Sequence, residues 1–309
     1  MEVQVTQSIR KITPCLWFDT QAEEAASFYT FLFEHSKMGP ITLYSGEGFE
    51  IHGKAEGSVM SVDFEIAGYP FVALNGGPHF KFTPAISFFV VRETEAELDE
   101  LWEALLEGGD VLVALGKYDW SDKYGWLMDR YGLSWQISLG NLTDVGQAIT
   151  PSLLFVGDQC GRAEEAVRLY TSTFPDSSIT GILRFGPDEA PNREGTVKHA
   201  QFALGDEVFM AMDSALPHSF SFNEAVSLMI RCGSQEEIDH FWKALSDGGE
   251  EGPCGWLKDR FGVSWQVVPE VLDSMLRDPD PERVARVTRA FLHMKKFDVG
   301  SLNAAYAST

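Results

Sequence analysis

The feature that most constrains the fold of this chain is an internal duplication. The segment GWLMDRYGLSWQIS at residues 125–138 matches GWLKDRFGVSWQVV at residues 255–268 at nine of fourteen positions. Other segments recur in the same order, among them ITP at residues 12–14 and 149–151 and AEEA at residues 22–25 and 163–166. Repeats in one order over this length predict two copies of a folding unit of roughly 140 residues.

Within each copy, the hydrophobic periodicity alternates between the strand pattern and the helix pattern. Residues 12–18 alternate with period two, which predicts a half-buried strand. Residues 22–33 carry apolar side chains at helical spacing, with Asp19 or Thr20 available as the N-terminal cap. Further strands are predicted near residues 41–44, 58–66, 71–74, 85–91, 111–114, 125–129 and 133–139, and a second helix over residues 95–106. This order predicts an α+β fold in which each copy holds two βαβββ modules.

The duplication also sets the predicted domain boundaries. Residues 1–146 form the first copy, residues 147–270 the second, and residues 271–309 a helical extension. In the extension, apolar residues keep helical spacing around an Asp-Pro-Asp-Pro breaker, which predicts two terminal helices packed on the body. Pro281 suits the first turn of the second of these helices.

Composition narrows the range of partners. The chain carries 24 Lys and Arg against 46 Asp and Glu, a net charge of −22, which disfavours nucleic acid and anionic membranes. The longest apolar runs are strand-sized and far shorter than the ~20 residues that span a bilayer. The four cysteines lack metal or redox spacing and residues 1–10 are polar. We therefore expect a cytoplasmic protein that binds neither nucleic acid nor membrane.

Several motifs together resemble one known family. They are Ala-Glu-Glu-Ala before Phe-Tyr or Leu-Tyr, then Gly-Trp-Leu, Asp-Arg, Gly and Ser-Trp-Gln, and they occur in both copies. This pattern resembles the PhnB-like branch of the vicinal oxygen chelate (VOC) superfamily over nearly all of each copy. The resemblance implies that eight strands from two modules curl into a cup that binds a metal ion or a small molecule. Single-copy relatives pair as dimers, so it also implies an intramolecular pseudo-dimer, with a further homodimer as an option.

The metal-binding positions of this family depart from the usual pattern here. Alignment places Thr13 and Thr150 where many relatives carry a first-strand histidine, and Gln136 and Gln266 where they carry a terminal glutamate. A hydroxyl and a neutral amide are poor ligands for zinc, iron or nickel. We therefore predict no metal and no other cofactor, with a divalent metal held by other residues as the alternative.

Strand alternation indicates which side chains line the cups instead. Ser134 and Gln136 share the face opposite Trp135, and Trp135 and its counterpart Trp265 are predicted core residues. The predicted ligand-binding lining consists of Trp17, Asn75, Ser134, Gln136, Asp213, Ser264 and Gln266. His79 and His218 also recur but are weaker candidates, because one histidine per copy is not a ligand set. The Asp-Arg-x-Gly segment that begins at Asp129 is predicted to be a structural turn.

Two classes of function stay open at this point. The first is a protein that binds a small organic molecule without catalysis. The second is a metal-dependent VOC enzyme of the glyoxalase or lyase, isomerase or dioxygenase type. Some relatives carry a demethylubiquinone methyltransferase label, but no strand here is followed by the glycine-rich loop that a nucleotide-like methyl donor usually needs, so methyl transfer is not expected.

Overall fold

A computed structural model describes residues 10–308 of the protein. The polar stretch before Arg10, considered above, lies outside these residues. The first copy contains strands β1 (Ile12–Phe18), β2 (Lys37–Leu43), β3 (Val59–Ile66), β4 (Tyr69–Asn75), β5 (Ile86–Arg92), β6 (Asp110–Tyr118), β7 (Ser121–Met128) and β8 (Ser134–Leu139). Its helices are α1 (Ala22–Leu32), α2 (Phe49–His52), α3 (Glu95–Leu106) and α4 (Leu142–Val145).

The second copy repeats the order of the eight strands and of the two long helices. Its strands are β9 (Ile149–Phe155), β10 (Ser178–Arg184), β11 (Val197–Leu204), β12 (Glu207–Asp213), β13 (Val226–Cys232), β14 (Glu250–Glu251), β15 (Trp256–Lys258) and β16 (Ser264–Pro269). Its helices are α5 (Ala163–Thr173) and α6 (Gln235–Ser246). Each long helix is followed by three strands, so the four predicted βαβββ modules and the α+β class are confirmed.

Some local predictions were wrong. Strands β6 and β7 run far beyond the predicted segments, because an irregular hairpin continues them to Tyr118 and Ser121. Neither Asp19 nor Thr20 caps α1. Gln21 occupies the cap position and makes no side-chain bond to the helix. A distant residue, Asn75, takes over this task and is described below.

The sixteen strands in the described part of the chain form two sheets of eight. Sheet I has the order β14-β15-β16-β13-β1-β4-β3-β2, and sheet II has the order β10-β11-β12-β9-β5-β8-β7-β6. Strand β1 pairs with β13 in sheet I and β5 pairs with β9 in sheet II, both antiparallel. Each sheet therefore joins one module of the first copy to one module of the second. The predicted copy boundaries stay a prediction, but the sheets are shared across them.

The same aromatic cluster is built around a helix in each copy. Tyr29 of α1 packs on Trp135 of β8, with ring centroids 5.5 Å apart, and its hydroxyl donates to Asp129 at 2.7 Å. The second copy repeats this arrangement with Tyr170, Trp265 and Asp259. Both tryptophans are fully buried, as predicted. Each copy therefore has its own tyrosine, tryptophan and aspartate cluster, and both clusters belong to one hydrophobic core that extends through the two copies.

The Asp129 turn explains why one motif recurs so closely. One carboxylate oxygen accepts the backbone N–H groups of Tyr131 and Leu133, and the other accepts Tyr29 and the indole of Trp135. Gly132 takes a left-handed conformation with φ 85°. The predicted structural role of this turn is thus confirmed.

The extension forms three helices where two were predicted. They are α7 (Glu270–Leu276), α8 (Pro281–Phe291) and α9 (Val299–Ala307). Pro281 begins α8 as predicted, and Asp298 caps α9 by accepting from the backbone of Ser301 at 2.6 Å. This second cap starts a further helix that the apolar spacing alone did not reveal. No helix within residues 10–308 is both long and apolar enough to cross a bilayer.

Candidate functional site

The inner face of each sheet, opposite the packed helices, is defined by strand register. In sheet II, one row across three neighbouring strands consists of Ser152, Ser87 and Ser134. The next row consists of Thr150, Phe89 and Gln136. Side chains on one row of a sheet lie about 4.7–5.5 Å apart. The pairing of β5 with β9 therefore brings hydroxyls of both copies together on one surface.

Gln136 lies at the centre of a hydrogen-bond network on this surface. Its amide nitrogen donates to Ser87 at 2.8 Å, and its carbonyl oxygen accepts from the hydroxyl of Tyr124 at 2.7 Å. Burial raises the pKa of Tyr124, so this hydroxyl stays a neutral donor. Trp126 donates to Ser134 at 2.7 Å. The network fixes the orientation of the amide and leaves Ser87 able to donate elsewhere.

Two hydroxyls beside this network have no hydrogen-bond partner among the described residues. They are Oγ1 of Thr150 and Oγ of Ser152, on residues whose exposed fractions are 0% and 1%. A buried polar atom without a partner costs about 1–3 kcal/mol relative to a paired one. Such atoms are rare in native proteins and are completed by an ordered water or by a bound group. They mark the inner face of sheet II as a candidate binding surface.

The equivalent face of sheet I differs in chemistry. Cys15 takes the position that Ser152 has in sheet II, beside Ser227 and Ser264. Burial raises the pKa of the Cys15 thiol to about 11, against opposing hydrogen bonds with Gln266 and Ser227. Gln266 donates to Ser227 at 2.8 Å, and Oγ of Ser264 has no partner among residues 10–308. The thiol is therefore protonated and unreactive at neutral pH.

The helical extension covers part of sheet I. Arg277, after α7, donates to Thr42 at 2.9 Å and to Asp63 at 2.7 Å, and Asp273 pairs with Arg231 of β13. Burial raises the pKa of Asp63, and the nearby Arg277 opposes that shift. The other ion pairs of the extension with the body also reach the sheet I side, at Glu47, Asp239 and Glu251. The two inner faces are thus not equivalent.

Trp17 lines a cavity at the end of sheet I. The cavity has a volume of about 330 Å³ and is also lined by Phe80, Trp256 and Lys258. The indole nitrogen of Trp17 donates to the carbonyl of Gly77 at 2.8 Å. A Cβ at Gly76 would lie 2.1 Å from the indole ring, so glycine is required there to seat it. That Trp17 contacts a ligand in this cavity stays a prediction.

Asn75 and Asp213, both predicted to line a cup, each anchor the N-terminus of a helix. Oδ1 of Asn75 accepts from the backbone of Ala22 at 2.9 Å, which anchors the N-terminus of α1. Asp213 anchors α5 by accepting from the backbone of Gly161 and Ala163. Burial raises the pKa of Asp213, and these backbone hydrogen bonds oppose the shift. Their oxygens are occupied in fixing the modules, so these contacts do not support a ligand-binding role.

The histidines do not converge on a site. His79 is exposed, and His218 makes a local 2.8 Å hydrogen bond with Ser214. His199 lies on β11, opposite Leu183 of β10, and burial lowers its pKa. Within residues 10–308, no three His, Cys, Asp or Glu side chains are grouped as a metal would require. The histidines therefore remain weak candidates.

The positions that carry metal ligands in relatives can be tested directly. Thr150 and Gln136 lie on one row of sheet II, and Thr13 and Gln266 on one row of sheet I, so each pair comes from different copies. Their donors are neutral, and the amides already bond to serine hydroxyls. This donor set does not suit a divalent ion.

Sequence analysis missed several residues of this surface. Ser87, Tyr124 and Thr150 belong to the sheet II site, yet only Thr150 was noticed, and only as a lost metal ligand. Strand alternation could have placed Ser87 on the face of Gln136. No sequence pattern indicated that Thr150 lies beside residues of the first copy, because this neighbourhood depends on the pairing of β5 with β9.

Comparison with known proteins gives a consistent picture. The sequence model of the family described as 3-demethylubiquinone-9 3-methyltransferase matches residues 10–138 and again residues 147–268. The PhnB protein from Bacillus cereus is 41% identical over 42% of this chain and 100% of its own, with a TM-score of 0.39. Comparison with curated proteins gives no match.

A second likeness concerns the fold. Glyoxalase I from Zea mays aligns over 85% of this chain and 93% of its own, with 12% identity and a TM-score of 0.51. A variant of the same maize protein aligns over 87% of this chain and 95% of its own, with 11% identity and a TM-score of 0.53. At this identity the likeness shows the glyoxalase-like fold alone.

Proposed function

Since the chain belongs to the family described as 3-demethylubiquinone-9 3-methyltransferase, the PhnB-like branch of the VOC superfamily, we propose that it binds a small organic molecule on the inner face of sheet II. The observation that carries this proposal is the pair of buried, unpartnered hydroxyls of Thr150 and Ser152. In this function the protein needs no metal ion and transfers no methyl group.

The chemistry of the surface suggests what such a molecule looks like. Thr150, Ser152 and Ser87 can each donate a hydrogen bond, while Phe89 and Trp126 flank Gln136 on the same row. A few convergent polar groups among aromatic side chains are typical of sites for small organic ligands. A molecule with a carbonyl or hydroxyl group on an apolar or aromatic body fits this arrangement.

Sheet II is favoured over sheet I because the extension is anchored to sheet I. Arg277 and Asp273 occupy polar partners on that face, including Asp63 and Arg231. The equivalent positions on sheet II include Gln201 and Val91, which carry no charge. We therefore infer one cup for this ligand per chain rather than two.

The test compares two matched serines. A library of small carbonyl and hydroxyl compounds is screened by thermal shift on the full chain, and hits are titrated by calorimetry. Ser152→Ala should weaken binding of a hit by about 2–10-fold, since one hydrogen bond contributes about 0.5–1.5 kcal/mol. Ser264→Ala removes the other unpartnered serine hydroxyl, on sheet I, and should leave binding unchanged.

Two results would overturn the proposal. One is a hit whose affinity falls equally in both variants, because the ligand would then not distinguish the sheets. The other is turnover of the compound rather than stoichiometric binding, measured by chromatography of the mixture after incubation.

We also infer that one chain replaces a dimer of single-copy relatives. The β1–β13 and β5–β9 pairings already join the two copies edge to edge, which is what a subunit interface would otherwise do. Light scattering after size-exclusion chromatography should give the mass of one chain, 34.4 kDa. A mass of two chains would instead indicate the further homodimer.

A further inference from the structure

The cavity at Trp17 is separate from the surface on sheet II and has its own chemistry. Trp17, Phe80 and Trp256 form its aromatic walls, and Pro253, Cys254 and Leu257 add apolar lining. Its volume of about 330 Å³ falls in the range of small-molecule sites, roughly 300–1,000 Å³. This cavity can therefore hold a small organic group.

The aromatic walls meet at steep angles. The ring of Phe80 lies 5.0 Å from that of Trp17 with planes 79° apart, and the ring of Trp256 lies 5.8 Å away with planes 76° apart. In these T-shaped contacts the edge of one ring packs on the face of the next, so the three rings form one continuous aromatic lining, which we call the aromatic box. Aromatic ring faces attract cations through the ring quadrupoles.

The charged side chains of the lining also favour a cation. The lining contains the carboxylates of Glu224, Glu250 and Glu251 and the ammonium of Lys258. Lys258 is paired with Glu224 at 2.8 Å, and Glu251 accepts from the indole of Trp242 at 2.9 Å and lies 3.9 Å from the ammonium of Lys295. The side chain of Glu250 forms no hydrogen bond or ion pair within residues 10–308. Glu250 is therefore the one carboxylate of this lining without an ion-pair partner among the described residues, and it makes the lining net negative.

The box has no counterpart on the other sheet. By strand register, the position of Trp17 is held by Leu154 in the second copy, while Trp256 corresponds to Trp126. Trp256 therefore has a tryptophan counterpart in the other copy, and Trp17 does not. The aromatic box is thus a feature of sheet I rather than a by-product of the repeated fold.

From these observations we propose that the Trp17 cavity binds an organic cation, a quaternary ammonium or protonated amine group, between Trp17, Phe80 and Trp256 and beside Glu250. This site is independent of the sheet II surface. The indole N–H of Trp17 does not bind such a group, because it donates to the carbonyl of Gly77. Recognition then rests on the ring faces and on the carboxylates.

The test uses two probes of the same shape. Choline chloride and its uncharged isostere 3,3-dimethyl-1-butanol are titrated into the full chain by calorimetry at low ionic strength. The choline cation should bind at least about 10-fold more tightly than the neutral isostere, because only the cation gains from the ring faces and carboxylates. Equal affinity for the two probes, or no heat with choline at tens of millimolar, would overturn the proposal.

Variants locate the site. Trp256→Leu should weaken choline binding by about 10-fold and Glu250→Gln by a few-fold. Trp120→Leu is the control, because Trp120 is 67% exposed on the β6–β7 hairpin of sheet II and should leave choline binding unchanged. Glu250 is exposed, so its variant tests the site even where Trp256→Leu lowers stability. Unchanged affinity in Glu250→Gln would refute the role of the carboxylate, and an equal loss in Trp120→Leu would refute the location. Neither result bears on the serine variants of sheet II.

Discussion

Replacing Thr150 by valine should make the ligand-free protein more stable. Valine keeps the branched shape of threonine and replaces the hydroxyl by a methyl group. Oγ1 of Thr150 is fully buried and has no partner among residues 10–308, so the substitution removes an unpaired polar atom and breaks no hydrogen bond. An unpaired buried hydroxyl costs about 1–3 kcal/mol, and most of that free energy should be recovered.

The expected gain can be measured by equilibrium unfolding in urea. With a slope of roughly 3 kcal/mol/M, the midpoint for Thr150→Val should rise by about 0.3–1 M. The sign is diagnostic, because point substitutions typically destabilise proteins by about 1 kcal/mol. The same variant should bind a ligand found on sheet II more weakly, since it lacks the hydroxyl that the ligand completes.

Thr173→Val is the matched control. Thr173 is also buried, but its hydroxyl donates to the carbonyl of Leu169 at 2.8 Å within α5. Its replacement should lower the free energy of unfolding by up to about 1 kcal/mol. The reasoning is refuted if Thr150→Val lowers the midpoint at unchanged slope, or if both variants shift it in the same direction. It is also refuted if Thr150→Val gains stability and loses no affinity for a sheet II ligand.

Three further outcomes follow from buried polar groups. Arg277→Ala should lower the free energy of unfolding by roughly 1–3 kcal/mol in urea, since it leaves the mostly buried Asp63 unpaired. Burial raises the pKa of Glu207 to about 7, so the stability that its protonated form contributes is lost as pH rises from about 4.5 to 7. Glu207→Gln should therefore reduce the change in the free energy of unfolding over this pH range by roughly 3 kcal/mol. An unchanged dependence of the free energy of unfolding on pH would contradict the shift. Asp129→Asn places an amide N–H against the hydroxyl donor of Tyr29 or against a backbone N–H. The free energy of unfolding, measured by thermal unfolding, should therefore fall by about 1–3 kcal/mol. An unchanged free energy of unfolding would mean that the turn does not stabilise the core.

The sequence could predict the residues that face the core. Trp135 and Trp265 were predicted to be buried because they alternate with polar residues on one strand, and a side chain's face depends only on its own strand. The same alternation placed Gln136 on the opposite face, in a polar network. Such features are local, so one copy of the motif was enough to find them.

Roles that depend on distant residues could not be predicted. Asn75 ends a strand with a polar side chain, which looks like a lining residue, yet it anchors α1, whose N-terminus is 53 positions away. The same holds for Thr150, whose neighbours come from the other copy. Neither hydrophobic period nor motif spacing carries this information.

The sequence by itself determined the duplication, the four βαβββ modules and the family, because repeats, periodicity and turn motifs are properties of neighbouring residues. Only the tertiary structure decided that each sheet combines modules from both copies, that the extension is anchored to sheet I, and that two hydroxyls on sheet II lack partners. The physical reason is that strand pairing is made by backbone hydrogen bonds, which are the same for every residue except proline. Any two strand edges can pair, and the packing of the whole chain selects which ones do.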